Sequence, residues 1–295
     1  GKMPFNESSR LDPSQVQDRR GRRVGPALAI GGGGIGLVIF VVALLLGVNP
    51  GDLSGLVETG PSADNTIPGE VSDLAAECAT GADANTRQDC AIVGYVNSIQ
   101  AFWSEVFTSS GIEYVPAQTV LFSGATEGAC GYASAAVGPF YCPSDQMVYL
   151  DLAFFDELQA RFGAEGGPFA AAYVLAHEYG HHVQNLLGLL DSSGGGYQDQ
   201  QQMSIDTELQ ADCFAGVWVN HSVETGYLAQ VTNEEITQAL DTVSAVGDDM
   251  VQRRTQGYVS PETWTHGSSE QRQAAFEDGL HSGSPDSCET PGWTE

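Results

Sequence analysis

The stretch Ala176-His177-Glu178-Tyr179-Gly180-His181-His182 lies within residues 168–187, whose apolar periodicity predicts a single helix. In a helix, His177 and His181 lie one turn apart on the same face, with Glu178 beside them. Neutral imidazoles are common zinc ligands, and an adjacent carboxylate can accept a proton from a metal-bound water. The stretch therefore predicts a zinc site for hydrolytic chemistry, whose third protein ligand must come from elsewhere in the chain.

A candidate for that third ligand lies 27 positions after His181. Residues 203–225 resume a helical pattern, in which Glu208 and Asp212 lie four positions apart and can both face the first helix. We expect Glu208 to bind the metal and Asp212 to accept a hydrogen bond from the outer nitrogen of a histidine ligand. Two solvated acids are the alternative, but the apolar neighbours indicate a buried helix in which an unpaired carboxylate is costly. Residues 191–202, between the two helices, are rich in Gly, Ser and Gln and predict a loop at the rim of a cleft.

The charge distribution divides the chain into a short basic end and a long acidic part. Six of the 11 Lys and Arg residues precede residue 24, although the net charge is −27. From residue 52 onward, five basic residues stand against 35 acidic ones. A surface of this sign repels phosphate backbones, so nucleic acid is excluded as a partner. It is compatible with basic substrates or with solubility at high salt, but a solvated, self-repelling face is the simpler explanation.

Residues 24–50 contain no charged side chain and are long enough to cross the hydrocarbon core of a bilayer. Arginines precede this run and acidic residues follow it, so the positive-inside bias predicts one transmembrane helix with a cytoplasmic N-terminus. A cleaved signal peptide is the competing interpretation, but the charged region before the run is long and no clear cleavage site follows. The predicted organisation is a basic cytoplasmic segment over 1–23, the span over 24–50, a linker over 51–70 and an extracytoplasmic domain over 71–295. The protein would then be a single-pass protein of the bacterial cytoplasmic membrane, with its catalytic domain outside.

All six cysteines lie in the predicted extracytoplasmic domain, where an even count favours disulfide bonds. Six cysteines permit 15 pairings, and the sequence alone does not select one. A disulfide that closes a short loop would stabilise the fold by about 3 kcal/mol in the chain-entropy model. Free buried thiols are an alternative, whereas the lack of a Cys-x-x-Cys pair argues against a structural zinc site. The pairs that short loops favour are Cys78 with Cys90 and Cys130 with Cys142, which leaves Cys213 with Cys288.

The remaining patterns predict a mainly helical α+β domain with a small β-sheet. Residues 86–107 carry apolar side chains at helical spacing and predict a scaffold helix. Residues 115–122 and 147–151 are short, rich in β-branched or aromatic residues and bounded by turn formers, so they predict strands. Residues 152–162 predict a short helix. Pro168 then begins the histidine helix, at a position where a missing N–H costs nothing.

Together these motifs resemble the gluzincins, and more closely the bacterial YpfJ-type neutral zinc metallopeptidases. The resemblance covers nearly the whole chain, and it includes residues 138–143 and 266–272 as well as the segments described above. It implies a zincin-like fold, one Zn²⁺ per chain and a peptide or protein substrate. In gluzincins an edge strand before the histidine helix aligns the substrate. Here that strand would be residues 147–151, with Val148 and Tyr149 close to the peptide.

His266 and Arg272 are expected on the transition-state side of the cleft. The chemistry calls for a donor opposite the metal, and gluzincins usually place a His, Tyr or Arg there. The two residues resemble the Thr-His-Pro and Arg pattern of the membrane-bound CAAX-type and heat-shock-type metalloproteases, although Gly267 replaces the proline. The alternative for Arg272 is a surface ion pair on a helix capped by Ser268 or Ser269.

Three other histidines are interpreted as structural or solvated. His182 is next to a ligand but lies 100° around the helix from it. His221 has no partner motif, and His281 lies in the polar tail.

These features predict a membrane-anchored zinc endopeptidase in which His177, His181 and Glu208 hold the metal and Glu178 is the general base. Two other classes remain open: a catalytically silent, zinc-containing binding or chaperone-like protein, and a zinc hydrolase that does not act on peptides. An intact Glu178 counts against the first, because a purely structural site does not need a general base. A buried or absent edge at residues 147–151 would favour the second, since an ester substrate needs no strand alongside it.

Overall fold

The computed structural model of the chain describes residues 4–21, 73–134, 138–162, 166–190 and 197–289. The α-helices are α1 Leu74–Glu77, α2 Gly81–Ala84, α3 Gln88–Ser109, α4 Ala153–Phe162, α5 Pro168–Leu186, α6 Tyr197–His221, α7 Asn233–Ala245, α8 Asp248–Thr255 and α9 Ser269–Ser282. The strands are β1 Val16–Asp18, β2 Gln118–Phe122, β3 Ala125–Gly128, β4 Gly131–Ser134, β5 Phe140–Cys142 and β6 Met147–Asp151. Short 3-10 helices lie at Pro13–Gln15, Pro261–Thr263 and Pro285–Cys288.

The core is formed mainly by the long helices α3, α5, α6 and α9, which bury aliphatic and aromatic side chains between them. Helices α6 and α9 approach closely at Gly216 and Gly279, where a Cβ on either residue would collide with the backbone of the other helix. Helix α5 is buried along most of its length, because it packs against α3, α6, α7 and the sheet. The helix that carries His177 and His181 is therefore central to the molecule.

The larger sheet has the strand order β1-β2-β6-β5, in which β5 is antiparallel to β6 and the other neighbours are parallel. The prediction that residues 147–151 form an open edge is wrong, because β6 lies between β2 and β5. Val148 and Tyr149 are 0% and 1% exposed, so they are core residues and do not line a cleft. Among the described residues, the outer strand on this side is β5, which pairs Tyr141 with Val148 and packs against α5. Strands β3 and β4 form a separate two-stranded sheet.

The N-terminal segment, residues 4–20, is part of the folded domain. Strand β1 lies within it and pairs in parallel with β2. The ring of Phe5 is buried against Tyr95, with 4.7 Å between the ring centroids. The side chain of Asn97 accepts a hydrogen bond from the backbone N–H of Asp12 at 2.7 Å and donates one to its carbonyl at 3.0 Å. Backbone pairing, an apolar anchor and an amide thus hold the segment at three points.

Two findings correct the predictions of a transmembrane helix and of a domain held outside the cytoplasmic membrane. Among the residues that the structure describes, no helix is both long and apolar enough to cross a bilayer. The basic end and the rest of the domain pack into one body, so they cannot lie on opposite sides of a membrane. The predicted span, 24–50, and linker, 51–70, lie outside the described residues. Hydropathy measures the length of an apolar run, but it does not register where the two ends of that run are held.

The mainly helical α+β character is confirmed, with one difference near the predicted cleft rim. The predicted scaffold helix, histidine helix and strand at 147–151 are α3, α5 and β6. Residues 197–202 were expected to be part of a loop, but they form the first turns of α6. This part of the stretch is rich in Gln, which is a good helix former, so the loop composition ends before it.

The three predicted disulfide bonds are present in the structure. They join Cys78 to Cys90, Cys130 to Cys142 and Cys213 to Cys288. The first two close short loops, as the loop-length argument predicted. The third ties the C-terminal 3-10 helix to α6, directly after Asp212.

Candidate metal centre

His177, His181 and Glu208 meet where α5 packs against α6. Oε2 of Glu208 lies 3.2 Å from Nε2 of His177, and Oε1 lies 3.5 Å from Nε2 of His181. One ligand atom from each of the three residues lies within 4.8 Å of the other two. The structure therefore brings together the three residues that the sequence proposed as ligands.

The outer nitrogen of His177 is held by a buried ion pair. Nδ1 of His177 lies 2.7 Å from Oδ1 of Asp212, which also accepts a hydrogen bond from the hydroxyl of Tyr173 at 2.6 Å. Arg272 donates to both oxygens of Asp212, at 2.7 Å from Nε and at 3.0 Å from Nη2. Because an ionised carboxylate only accepts, Nδ1 of His177 carries a proton, which leaves Nε2 as the nitrogen that would bind a metal.

The outer nitrogen of His181 is held by a neutral amide. Nδ1 of His181 lies 2.8 Å from Oε1 of Gln184. The amide nitrogen of Gln184 donates to the carbonyl of Thr207 at 2.8 Å and to Oε1 of Gln210 at 2.9 Å. Gln210 in turn donates to the carbonyl of Cys288 at 3.0 Å. A chain of amides therefore links His181 to α6 and to the C-terminal tail, Pro285–Cys288, which a disulfide ties to α6.

The ionisable side chains at the centre shift one another's pKa values in the direction that favours ion pairs. Burial lowers the pKa of His177, but the carboxylates of Asp212 and Glu208 outweigh burial and raise that pKa to about 10. Burial raises the pKa of Asp212, but Arg272 and His177 outweigh it and lower that pKa to about 2. Burial also opposes ionisation of Glu208, yet the imidazoles of His181 and His266 hold the pKa of Glu208 well below its usual range. Both carboxylates are therefore anionic near neutrality, as metal ligation and its support require.

Glu178 lies next to His177 on α5, and the backbone of Tyr141, on β5, is near enough to oppose a rise in its pKa. Burial raises the pKa of Glu178, against the opposing effect of His177 and His181. A carboxylate with a raised pKa is a stronger proton acceptor than an ordinary one, which suits a general base.

His266, on the loop before α9, is close to the ligand cluster. Its Nδ1 lies 3.1 Å from Oδ1 of Asp248 and 3.1 Å from the hydroxyl of Thr265, which leaves Nε2 for other contacts. Burial lowers the pKa of His266, but Asp248 and Glu208 outweigh burial and raise it. The carboxylate of Glu208 contributes to this rise, so the two side chains lie within electrostatic range of each other.

Gly267 explains the departure from the Thr-His-Pro pattern. Its φ is +88°, which proline cannot adopt, and its backbone N–H donates to Oδ2 of Asp248 at 3.1 Å. The backbone N–H groups of Thr265 and His266 donate to the same oxygen at 2.8 Å and 2.7 Å. Asp248 therefore fixes the loop that carries His266 through three consecutive backbone groups.

Arg272 lies behind His177 and not on the transition-state side of the cleft. Its Nη2 is 3.4 Å from Nδ1 of His177, on the side of the ring opposite Nε2. The alternative prediction of a surface ion pair is also wrong, because Arg272 is 4% exposed. Its partner is the buried Asp212, so the guanidinium sets the charge behind the ligand and does not face a substrate.

The other histidines lie outside the ligand cluster. Nδ1 of His182 lies 2.9 Å from the hydroxyl of Tyr141, and its Nε2 lies 2.7 Å from the carbonyl of Val115. Nδ1 of His221 lies 2.7 Å from the carboxylate of Glu224. These contacts agree with the structural roles expected for both residues.

The donor set fits zinc. Two imidazoles and one carboxylate form a tridentate set of the kind that leaves a fourth position for water or substrate. Both outer nitrogens already have partners, so both Nε2 atoms are oriented toward the third ligand. The side chains of His181 and Glu208 are 15% and 19% exposed, so the cluster is open to solvent on one side.

Sequence reasoning missed four residues of this site: Tyr173, Gln184, Tyr141 and Asp248. The first two have a local signal, because Tyr173 lies four residues before His177 and Gln184 lies three after His181, on the ligand face of the helix. Tyr141 and Asp248 come from other elements, and no short-range pattern connects them with the ligands.

Comparison with known proteins agrees with this geometry. The family described as "Putative neutral zinc metallopeptidase" matches residues 6–291. The uncharacterized protein Rv2575 of Mycobacterium tuberculosis is 45% identical over 257 residues, which cover 84% of each chain. The uncharacterized protein YpfJ of Escherichia coli is 36% identical over 297 residues, which cover 96% of this chain and 97% of that protein. No solved structure gives a significant match. Because the family match spans nearly the whole sequence and includes every residue of the ligand cluster, the chain belongs to the family of putative neutral zinc metallopeptidases.

Proposed function

We propose that the chain is a zinc-dependent endopeptidase in which His177, His181 and Glu208 hold one Zn²⁺ and Glu178 is the general base. The observation that carries the proposal is the position of Glu178. It lies on the same helix as both histidines, and the backbone of Tyr141, on the outer strand β5, is near enough to affect the pKa of its carboxylate. A proton acceptor placed between a metal site and an outer strand suits the hydrolysis of a peptide bond.

The chain's own groups supply most of the proposed chemistry. A bound zinc ion supplies Lewis acidity and lowers the pKa of a coordinated water. Glu178 accepts a proton from the attacking water and passes it to the leaving amine. His266 donates a hydrogen bond to the developing charge on the carbonyl oxygen, and the Asp248 carboxylate favours the protonated imidazole that this role needs.

Strand β5 favours a peptide substrate over an ester. It is the outer strand of the four-stranded sheet among the described residues, and an extended peptide can pair with an outer strand through backbone hydrogen bonds.

A strand at residues 147–151 that is buried in the sheet was expected to favour a non-peptidase hydrolase, and β6 is indeed interior. The neighbouring β5 is the outer strand on that side, so a peptide substrate can pair with β5 instead of β6.

Purified full-length chain, loaded with zinc, tests the proposal on an unbiased peptide library. Wild type should cleave peptides and lose activity with a chelator. Glu178→Gln should retain the metal and lose hydrolysis, whereas Glu208→Ala should lose the metal as well. Ester cleavage without peptide cleavage would assign a different hydrolase class. Peptide binding without any cleavage by zinc-loaded wild type would assign a silent binding protein.

A further inference from the structure

The end of helix α6 lies against the end of helix α9, and two side chains of α6 cap the carbonyls there. Nδ2 of Asn220 donates to the carbonyl of Leu280 at 2.8 Å. Nε2 of His221 lies 2.8 Å from the carbonyl of Gly283, the residue that follows α9. The last carbonyls of a helix have no partner within it, so they need donors from elsewhere. Here α6 supplies both donors.

The two ring nitrogens of His221 face groups that can only accept a hydrogen bond. Nδ1 lies 2.7 Å from Oε2 of Glu224, and Nε2 faces the carbonyl of Gly283. An ionised carboxylate and a carbonyl have no proton to give. A neutral imidazole carries one N–H and satisfies only one of these partners, whereas imidazolium carries two. We infer that His221 is a proton-dependent latch, which joins α6 to the end of α9 and to Glu224 at the same time only while its ring is protonated.

The surroundings of His221 favour the protonated ring. His221 is the last residue of α6, where the helix dipole favours a positive charge. The charged groups that act on the ring are the carboxylates of Glu224, three residues later, and of Glu105 on α3, while the end of α9 faces it with the Gly283 carbonyl. Burial lowers the pKa of His221, but Glu224 and the Gly283 carbonyl outweigh burial and raise that pKa, with a smaller contribution from Glu105.

Packing holds the ring of His221 in place as well. The ring is stacked on Phe102 of α3, with 5.3 Å between the ring centroids and 15° between the planes. Gly283 has a φ of +61°, which glycine adopts readily. A Cβ on Gly283 would lie 2.6 Å from Oδ1 of Asn220 and 3.0 Å from Nε2 of His221. A side chain at this position would therefore push both capping groups away from the end of α9.

The latch should weaken as the pH rises. Because the pKa of His221 is higher in the folded chain than the usual value of about 6.5, protonation stabilises the fold. This contribution is fully present below the unfolded pKa and is lost as the pH rises through the folded pKa. The neutral ring keeps only one of its two hydrogen bonds, and that bond is no longer charge-assisted. The segment after α9 leads to the tail, Pro285–Cys288, so the latch is a further attachment of the tail besides its disulfide with Cys213.

Asn220 provides a matched control, because its amide caps the same helix end and does not titrate. In the full-length chain with its disulfides intact, His221→Ala should lower the urea midpoint relative to wild type at about pH 5.5, and this difference should narrow at about pH 9. Asn220→Ala should lower the midpoint by the same amount at both pH values. A cost of His221→Ala that does not change with pH would overturn the inference.

Nitrogen NMR of the imidazole rings provides a readout that needs no unfolding, and His221→Ala identifies the His221 signals by their absence. The titration midpoint of His221 should lie above about 6.5, and both of its ring nitrogens should carry a proton below that midpoint. Glu224→Gln should lower the midpoint, because the ring loses the carboxylate that Nδ1 faces. A wild-type midpoint at or below about 6.5 would contradict the latch. Neither measurement involves peptide cleavage, so the inference stands or falls independently of the proposed function.

Discussion

The two histidines of the candidate centre have outer partners of different kinds. His177 faces the anionic Asp212, which is itself paired with Arg272, whereas His181 faces the neutral amide of Gln184. A carboxylate partner raises the basicity of a ligating imidazole, while an amide mainly fixes its orientation. Replacing these two partners should therefore have different effects. Replacement of Asp212 leaves a buried guanidinium unpaired, which destabilises the whole domain. Replacement of Gln184 removes only the hydrogen bond that orients the ring of His181.

Gln184→Ala should weaken zinc binding by about 10- to 100-fold, because His181 loses the partner that orients its ring. Competition with a chromogenic chelator measures the dissociation constant. The control is Gln202→Ala on α6, since Gln202 is exposed and bonds only to Asp206 among the contacts described for it. Equal zinc affinity in the two variants would mean that the amide does not support the ligand.

His266→Ala should lower turnover by about 10²- to 10³-fold, which is the usual effect of removing one preorganised donor to a developing oxyanion. Zinc content and thermal stability should stay near wild type, because His266 is not a ligand. His281→Ala is the control, as that histidine is exposed. Turnover of His266→Ala within about threefold of wild type would assign His266 a structural role.

At the scale of elements, the disulfide between Cys213 and Cys288 connects the tail to the metal centre. Cys213 follows Asp212 on α6, and the carbonyl of Cys288 accepts from Gln210, which contacts Gln184. The tail is thus the last member of the chain of amides behind His181. Its attachment affects both the stability of the domain and the orientation of a ligand.

Replacing Cys213 and Cys288 together by Ser should lower the free energy of unfolding by about 4 kcal/mol, because the bond closes a loop of 75 residues. Replacing Cys78 and Cys90 should cost about 3 kcal/mol, since that loop spans only 12 residues. Urea unfolding at equal protein concentration measures both changes. Zinc affinity should fall only in the first variant. A fall of similar size in both variants would argue against a link between the tail and His181.

The elements near the ligands could be predicted from sequence because their signals are local. Helical spacing identified His177, His181, Glu208 and Asp212, and loop lengths identified the disulfide pairs. The edge strand was assigned to residues 147–151 because a single strand carries no information about its neighbours in a sheet. The burial of Arg272 was missed for a related reason: its partner lies 60 residues earlier, and a cation on a helix ordinarily faces solvent.

At the scale of the whole molecule, the N-terminal segment is attached to the domain by an ion-pair network. Nη2 of Arg20 lies 2.9 Å from Oδ2 of Asp89, which also binds Nη2 of Arg87 at 3.0 Å. Burial opposes ionisation of Asp89, but Arg87 and Arg20 outweigh it and hold the pKa of that carboxyl well below its usual range. No local pattern in the sequence indicates this contact, since Arg20 was predicted to belong to the basic cytoplasmic segment.

The low pKa of Asp89 predicts a pH dependence of stability. A carboxyl whose pKa is lower in the folded state stabilises the fold above its unfolded pKa of about 3.9, and this contribution is lost as the pH falls toward the folded value. Asp89→Asn should therefore be less stable than wild type at pH 7 by about 1–3 kcal/mol, and the difference should narrow below about pH 4. Urea unfolding at pH 7 and pH 3 measures both values, with the exposed Glu105→Gln as control. A difference that is the same at both pH values would exclude Asp89 as its source.

The same network also holds together the parts of the chain on either side of residues 22–72. Arg87 also binds Glu77, with 2.6 Å between Nη1 and Oε2, so the segment that ends at Gly21 and the one that begins at Asp73 converge on neighbouring side chains. A cut in the chain between Gly21 and Asp73 should therefore leave two fragments that copurify, because strand β1, the ring of Phe5 and this network all hold the first fragment to the second.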